Sequence, residues 1–295
     1  MRVRDTARRG TAVWLAVLAL AQTVALIVVW RTAVHTELGQ WLDTVALTGN
    51  RIGQDRIDGP VNHILNAMSL VALLAATAVI GFIALIRGRV ALAVTATLLV
   101  VGANLTTQAL KYGLARPDLG IDPQRIFAGN SLPSGHATVA ASFAVALVLV
   151  LPPTVRVLGA LLGTGYAAAV GVATLSAGWH RPSDAIAAYL VVGVWAALGG
   201  LALLTMQRER AKVDPGDAHR LAAVLLGTGG LLAVVAGGLA LAWLADGPRI
   251  APSALGRRPL LAGYAGGAAG IAGTMAIVMA LVLVSAHRLI PRNAG

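Results

Sequence analysis

The sequence predicts an all-α protein, a polytopic membrane helix bundle with about eight transmembrane helices, and three observations predict it. Hydrophobic residues fill 57% of the 295 positions and charged residues 12%, and the mean hydropathy is +0.78, far more apolar than a soluble core requires. The apolar residues gather into runs of about 20, the length that crosses a bilayer as a helix. The polar joints between the runs are short, which leaves no room for a soluble domain. In hydrocarbon the backbone finds no water, so each run must satisfy its own N–H and C=O groups by coiling.

The runs lie at roughly 11–31, 64–86, 90–111, 136–152, 155–176, 184–206, 221–244 and 261–286. The first follows Arg2, Arg4, Arg8 and Arg9, as a signal peptide would. Its length and its lack of a small-residue cleavage site predict a retained helix instead. After it, residues 37–48 place Leu38, Trp41, Leu42 and Val45 at helical spacing, with Glu37, Gln40, Asp43 and Thr44 elsewhere on the helix. This segment reads either as a short helix lying on the outer surface or as a connecting loop with one turn of helix. The last two runs are rich in Gly, and in the last of them Gly263, Gly266, Gly267 and Gly270 form two overlapping small-xxx-small patterns. Such patterns let helices approach closely, within the chain or in a homo-oligomer.

A net charge of +11 raises the question of nucleic acid, but the Arg residues stand between apolar runs and form no basic stripe with interleaved aromatics. The basicity is read as topology. With the N-terminus inside, Arg and Lys are in modest excess on the inner side, and Glu37, Asp43, Asp55, Asp58, Asp118, Asp122, Asp184 and Asp246 all fall outside. Trp30, Trp41, Trp179 and Trp243 lie near the same outer interface. Both termini are then cytoplasmic. The chain has no Cys, which removes a disulfide framework, a thiolate metal site and a Cys nucleophile from consideration.

Polar residues that interrupt the apolar pattern are concentrated between 104 and 184. One group holds Asn104, Gln108, Lys111, Arg116, Pro117, Asp118, Arg125 and the run Ser131 to His136; the other is Trp179-His180-Arg181-Pro182-Ser183-Asp184. In the eight-span topology both sit at outer span ends, where distant residues can converge. Ser134, Gly135 and His136 open a helix, whose free N–H groups and positive dipole end favour an anion such as phosphate. Gly135 lets the backbone come close, Ser134 offers a hydroxyl, and Lys111 and Arg116 add charge and a planar fork. Asp184 follows His180 by one turn, a spacing that can orient an imidazole and stabilise its charged form. Two His residues and an anion cradle suggest phosphoryl transfer, one attacking phosphorus and the other protonating the leaving oxygen.

Pro133-Ser134-Gly135-His136, the preceding Lys111 with Arg116-Pro117, and the later His180 with Asp184 resemble the three signature motifs of the type 2 phosphatidic acid phosphatase superfamily. The likeness covers about residues 104–190. It implies a six-helix phosphatase core within residues 1–206, with residues 207–295 adding two C-terminal transmembrane helices. It also implies that His180 is the nucleophile forming a phosphohistidine, Asp184 its orienting partner and His136 the general acid. Ser134, Gly135, Lys111 and Arg116 would hold the phosphate, with no metal and no other cofactor. Two departures are visible. Four residues, Tyr112 to Ala115, separate Lys111 from Arg116 where the family usually has six, so an ungapped alignment puts Asp118 in the Arg position. The Ser-Arg that usually opens the third motif is replaced by Ala173-Thr174, with Arg181 and Arg125 as the available substitutes.

The expected substrate is a lipid phosphate, either a polyprenyl phosphate or diphosphate of the cell envelope or a phospholipid phosphate, reached from the bilayer at the outer surface. The heavy use of Arg, Ala, Val and Gly, with only two Lys, points to a bacterial plasma membrane. Three other readings remain at this point: a phosphotransferase using the same intermediate, a degenerate member that binds or flips lipid phosphates, and a metal site built from His136, His180 and Asp184, which the neighbouring cations oppose.

Overall fold

The computed structural model describes residues 2–52, 78, 82, 86, 88–121, 129–206 and 217–289. Among these residues there are eight α-helices and no strand: α1 Arg2–Val29, α2 Glu37–Thr48, α3 Val90–Gly113, α4 Gly135–Val150, α5 Pro153–Ser176, α6 Pro182–Met206, α7 Asp217–Ala245 and α8 Arg257–Leu289. Seven of the eight predicted spans fall on α1 and α3 to α8. The predicted span 64–86 lies outside the described residues. Six segments, Arg8–Val34, Val90–Gly113, Pro153–Ser176, Pro182–Met206, His219–Ala245 and Arg257–Ala286, are long and apolar enough to cross a membrane, and α4 is a shorter apolar helix. The chain is thus a multi-pass membrane protein.

Exposure follows lipid rather than water. Val13, Val17, Leu20 and Val24 on α1, and Leu221, Leu225, Leu232 and Leu239 on α7, lie on the surface. In water such stripes would be an aggregation patch; in hydrocarbon they cost nothing. The interior is built from small residues, among them Ala140, Ala141, Ala144, Ala167 and Ala188, closed by Leu99, Ile271, Met275 and Met279.

The short joints are set by local chemistry. Pro153 starts α5 with its fixed φ and its absent N–H at a place where no ladder bond is needed. Arg156 is buried, and its guanidinium donates to the carbonyls of Val148 and Leu151 at 3.2 and 2.9 Å, closing the end of α4. The α5–α6 joint turns on Gly178 (φ 69°). There the N–H groups of Trp179 and His180 both donate to Thr174 O, at 3.0 and 3.1 Å.

Helix α8 threads the bundle. A Cβ on Gly267 would stand 2.5 Å from Pro182 Cγ, and one on Gly263 would stand 2.9 Å from Val45 Cγ1. One on Gly237 of α7 would stand 2.6 Å from the carbonyl of Gly266. The glycine patterns therefore serve packing inside the chain, and the face expected for a homo-oligomer is occupied by α2, α6 and α7. The Tyr264 hydroxyl lies 2.7 Å from Ser176 Oγ, fixing α8 to the end of α5.

Helix α2 corrects one expectation. Thr36 caps it by accepting from the N–H of Gly39 at 3.0 Å, so it is a true helix. Yet Gln40, Asp43 and Thr44 are buried along with Trp41 and Val45. Its polar side faces protein instead of water, because each polar group has an internal partner. Gln40 Nε2 donates to Val34 O and Pro117 O, Thr44 Oγ1 donates to Gln40 O, and Asp43 accepts from Ser183.

Candidate active site

Helix α3 carries a polar stripe. Asn104, Thr107, Gln108 and Lys111 recur at helical spacing and so share one face. Asn104 Nδ2 donates to Ser142 Oγ at 3.3 Å, and Thr107 and Thr138 share a hydroxyl hydrogen bond of 2.9 Å. Gln108 Nε2 lies 3.8 Å from where a Cβ on Gly135 would stand. The stripe faces α4, and Lys111, half-buried in the last turn of α3, takes its charge toward the α4 N-terminus.

Helix α4 opens on Ser134, which is extended and fully buried; its Oγ accepts from the N–H of Ala137 at 3.4 Å. The N–H of Ser134 donates to the carbonyl of Asp184 at 2.9 Å. That bond ties the start of α4 to the first turn of α6. The N–H groups of Gly135 and His136 have no place in the α4 ladder, and among the described residues only Gln108 comes within 4 Å of a Cβ added at Gly135, its own chain neighbours and helix backbone aside. The start of α4 is therefore a small-residue cradle on the positive end of a helix.

Helix α6 presents the second half. Asp184 is fully buried, and its Oδ2 accepts from His180 Nδ1 at 3.2 Å and from the N–H of Arg181 at 3.0 Å. With a carboxylate on Nδ1–H, the His180 ring turns the lone pair of Nε2 away from Asp184. The His136 and His180 ring centroids are 6.3 Å apart, and the Trp179 ring lies 5.3 Å from that of His136. His180 is buried and His136 half-exposed, so an anion between them has a closed side and an open side. His136, His180 and Asp184 thus gather at one end of the bundle beside Ser134 and Gly135, with Lys111 ending the α3 stripe that faces them.

The two departures from the motif pattern acquire a geometry. Helix α3 ends at Gly113, Leu114 is extended, and Pro117 keeps Arg116 out of helix. Arg116 then turns inward, its Nη2 lying 3.8 Å from Asp43 Oδ2, both side chains largely buried. Asp118 turns away: its Oδ1 accepts from the N–H of Gly120 at 2.8 Å in an exposed turn where Gly120 has φ 73°. Thr174 is buried with its hydroxyl on Gly171 O at 2.8 Å, so it offers nothing to an anion. Arg181 is buried beside the pair, its Nη1 donating to Ser131 Oγ at 3.4 Å. Arg125 lies outside the described residues. Among the described residues no group of three or more His, Asp or Glu side chains stands together as a metal centre would need.

Asp43 is the residue that reading the sequence missed. Its Oδ1 accepts from the N–H of Ser183 at 3.2 Å, and its Oδ2 accepts a short hydrogen bond from the Ser183 hydroxyl. Burial pushes its pKa up to about 6 against the pull of the Arg116 charge, with Asp184 adding to the rise and the Ser183 hydrogen bond opposing it. The available signal was Gln40 and Asp43 one turn apart on one side of a short helix, a pattern also expected of a solvated face.

No curated protein and no solved structure matches the sequence. The family model described as the PAP2 superfamily matches residues 89–211, which run from the start of α3 to just past α6 and contain every motif residue named above. The matched region, 123 of the 295 residues, holds the paired histidines, the buried carboxylate and the α4 cradle, and over it the chain is similar to the PAP2 superfamily.

Proposed function

We propose that the protein is a lipid-phosphate phosphatase working at the outer surface of a bacterial plasma membrane through a phosphohistidine on His180. The observation that carries this reading is the His180–Asp184 pair facing His136 across 6.3 Å, beside the open N-terminus of α4. His180 Nε2 attacks phosphorus while Asp184 holds the ring by Nδ1 and stabilises its growing positive charge. The P–O bond to the lipid breaks, and His136 gives the leaving oxygen its proton. Water then attacks the phosphohistidine, with His136 as base, and inorganic phosphate leaves. The N–H groups of α4, Ser134, Lys111, Arg116 and Arg181 bind the equatorial oxygens throughout. A headgroup lifted from the bilayer into a site ringed by spanning helices fits a lipid better than a soluble ester, and polyprenyl phosphates and diphosphates are the first class to try.

The test is phosphate release by purified protein from a panel of lipid phosphates. His180→Ala abolishes release, and Asp184→Asn leaves a folded protein with kcat lowered by about a thousandfold or more. Vanadate, which takes up trigonal-bipyramidal geometry, inhibits, and chelator does not. Near-normal turnover by His180→Ala overturns the mechanism. Loss of activity in chelator, restored by one divalent ion, makes it a metal enzyme. Phosphate appearing on an added alcohol instead of in water makes it a transferase.

A further inference from the structure

We propose that α2, which lies outside the matched region, supplies a positioning device for the site, with Asp43 and Gln40 holding Arg116 where the phosphate binds. The inference rests on the reading of Arg116 as a phosphate ligand.

With four residues instead of six after Lys111, Arg116 lies in extended chain past the end of α3, where the helix ladder cannot place it. Two side chains of α2, one turn apart, take over. Gln40 Nε2 donates to the carbonyl of Pro117 at 2.9 Å, holding the backbone next to Arg116. Asp43 Oδ2 faces Arg116 Nη2 at 3.8 Å, an ion pair that draws the guanidinium toward α2. Both residues are buried, so neither contact is surface decoration screened by water.

Asp43 faces a second element. Through Ser183 N–H and Oγ it binds the first turn of α6, one residue before Asp184. One carboxylate thus sets the distance between Arg116 and the turn that carries His180, Arg181 and Asp184. A guanidinium has five donors in a planar fork, more than an ion pair on one side can occupy. Gln40 is itself fixed by donating to Val34 O at 2.8 Å, which makes α2 a bracket between the turn that follows α1 and the loop after α3.

A merely structural Asp43 would matter equally with or without Arg116, whereas a positioning Asp43 acts through it. The experiment is a double-mutant cycle on kcat/KM for phosphate release in detergent, with wild type, Asp43→Asn, Arg116→Ala and the double variant. Asp43→Asn keeps the shape and removes the charge. Expected is a loss of about tenfold for Asp43→Asn with Arg116 present, shrinking to less than about twofold in Arg116→Ala. Gln40→Leu, which leaves the Asp43 bonds to Ser183 untouched, gives the same pattern and carries the test if Asp43→Asn does not fold. Equal losses in both backgrounds reduce Asp43 to a helix cap and overturn the proposal. So does a rise in kcat/KM for Asp43→Asn, which would make Asp43 a competitor for Arg116. Wild-type activity in Arg116→Ala defeats the reading of Arg116 and the proposal with it. An active His180→Ala defeats only the phosphohistidine step and leaves the cycle intact.

Discussion

At the scale of single residues, Arg116 and Asp118 decide between two alignments of the first motif. They are two positions apart, yet Arg116 turns inward to Asp43 while Asp118 is committed to the N–H of Gly120 in an exposed turn. A carboxylate beside phosphate oxygens would add like-charge repulsion in a partly desolvated site. Arg116→Ala is therefore expected to lower kcat/KM by about a hundredfold or more, the loss of a charge-assisted contact of about 3 kcal/mol. Asp118→Ala is expected to change it little. Steady-state kinetics on one lipid phosphate checks both, and the reverse pattern restores the ungapped alignment with Arg181 as the next cation to substitute.

At the scale of elements, the site depends on helices that carry none of its chemistry. Pro182 begins α6, and Gly267 of α8 lies against it so closely that a methyl group has no room. Gly267→Ala must move Pro182 or Ala46, and the first turn of α6 with them. The expected cost is about 1–3 kcal/mol, the usual range for overpacking, with a fall in phosphate release because His180 and Asp184 ride on that turn. Gly229 of α7 has nothing within 4 Å of an added Cβ, so Gly229→Ala leaves activity unchanged and the apparent Tm equal or slightly higher. Thermal melting in detergent beside an activity assay separates the two, and equal effects at both positions would remove the coupling between α8 and the site.

For the whole molecule, one end of the bundle collects the ends of α1, α3, α5 and α7 with the starts of α4, α6 and α8. Trp41 Nε1 donates to Ile250 O and Asn50 Nδ2 to Ser176 O at this end. At the other end Arg8 donates to Leu204 O and Trp14 to Ser285 Oγ. Arg51 and Val90, on either side of the predicted span 64–86, stand at opposite ends. The proposed function has the site's end outside, the side that the modest charge bias favours. Single Cys residues at Asn130 and Ala251 are thus expected to react with an impermeant thiol reagent on intact cells, and one at Gly10 is expected not to. The Cys-free chain makes the labelling unambiguous. Labelling at position 10 alone would turn the active site to the cytoplasm.

Spans, their alternation and the paired histidines were legible in the sequence, because they rest on short-range rules: apolar runs of bilayer length, a proline at a helix start, a carboxylate one turn from an imidazole. The motif order brought Lys111, Ser134, Gly135, His136, His180 and Asp184 together on paper, and residues 89–211 match the family model that the order implied. Position 43 was not legible. The sequence by itself determined a membrane helix bundle and the motif set that the PAP2 family model matches. Only the tertiary structure decided that α2 turns its polar side inward, that Asp43 joins Arg116 to the first turn of α6, and that the C-terminal glycines are used within the chain. The physical reason is that a buried polar group declares itself only through its partner, and the partners of Gln40 and Asp43 lie 77 and 140 residues away along the chain.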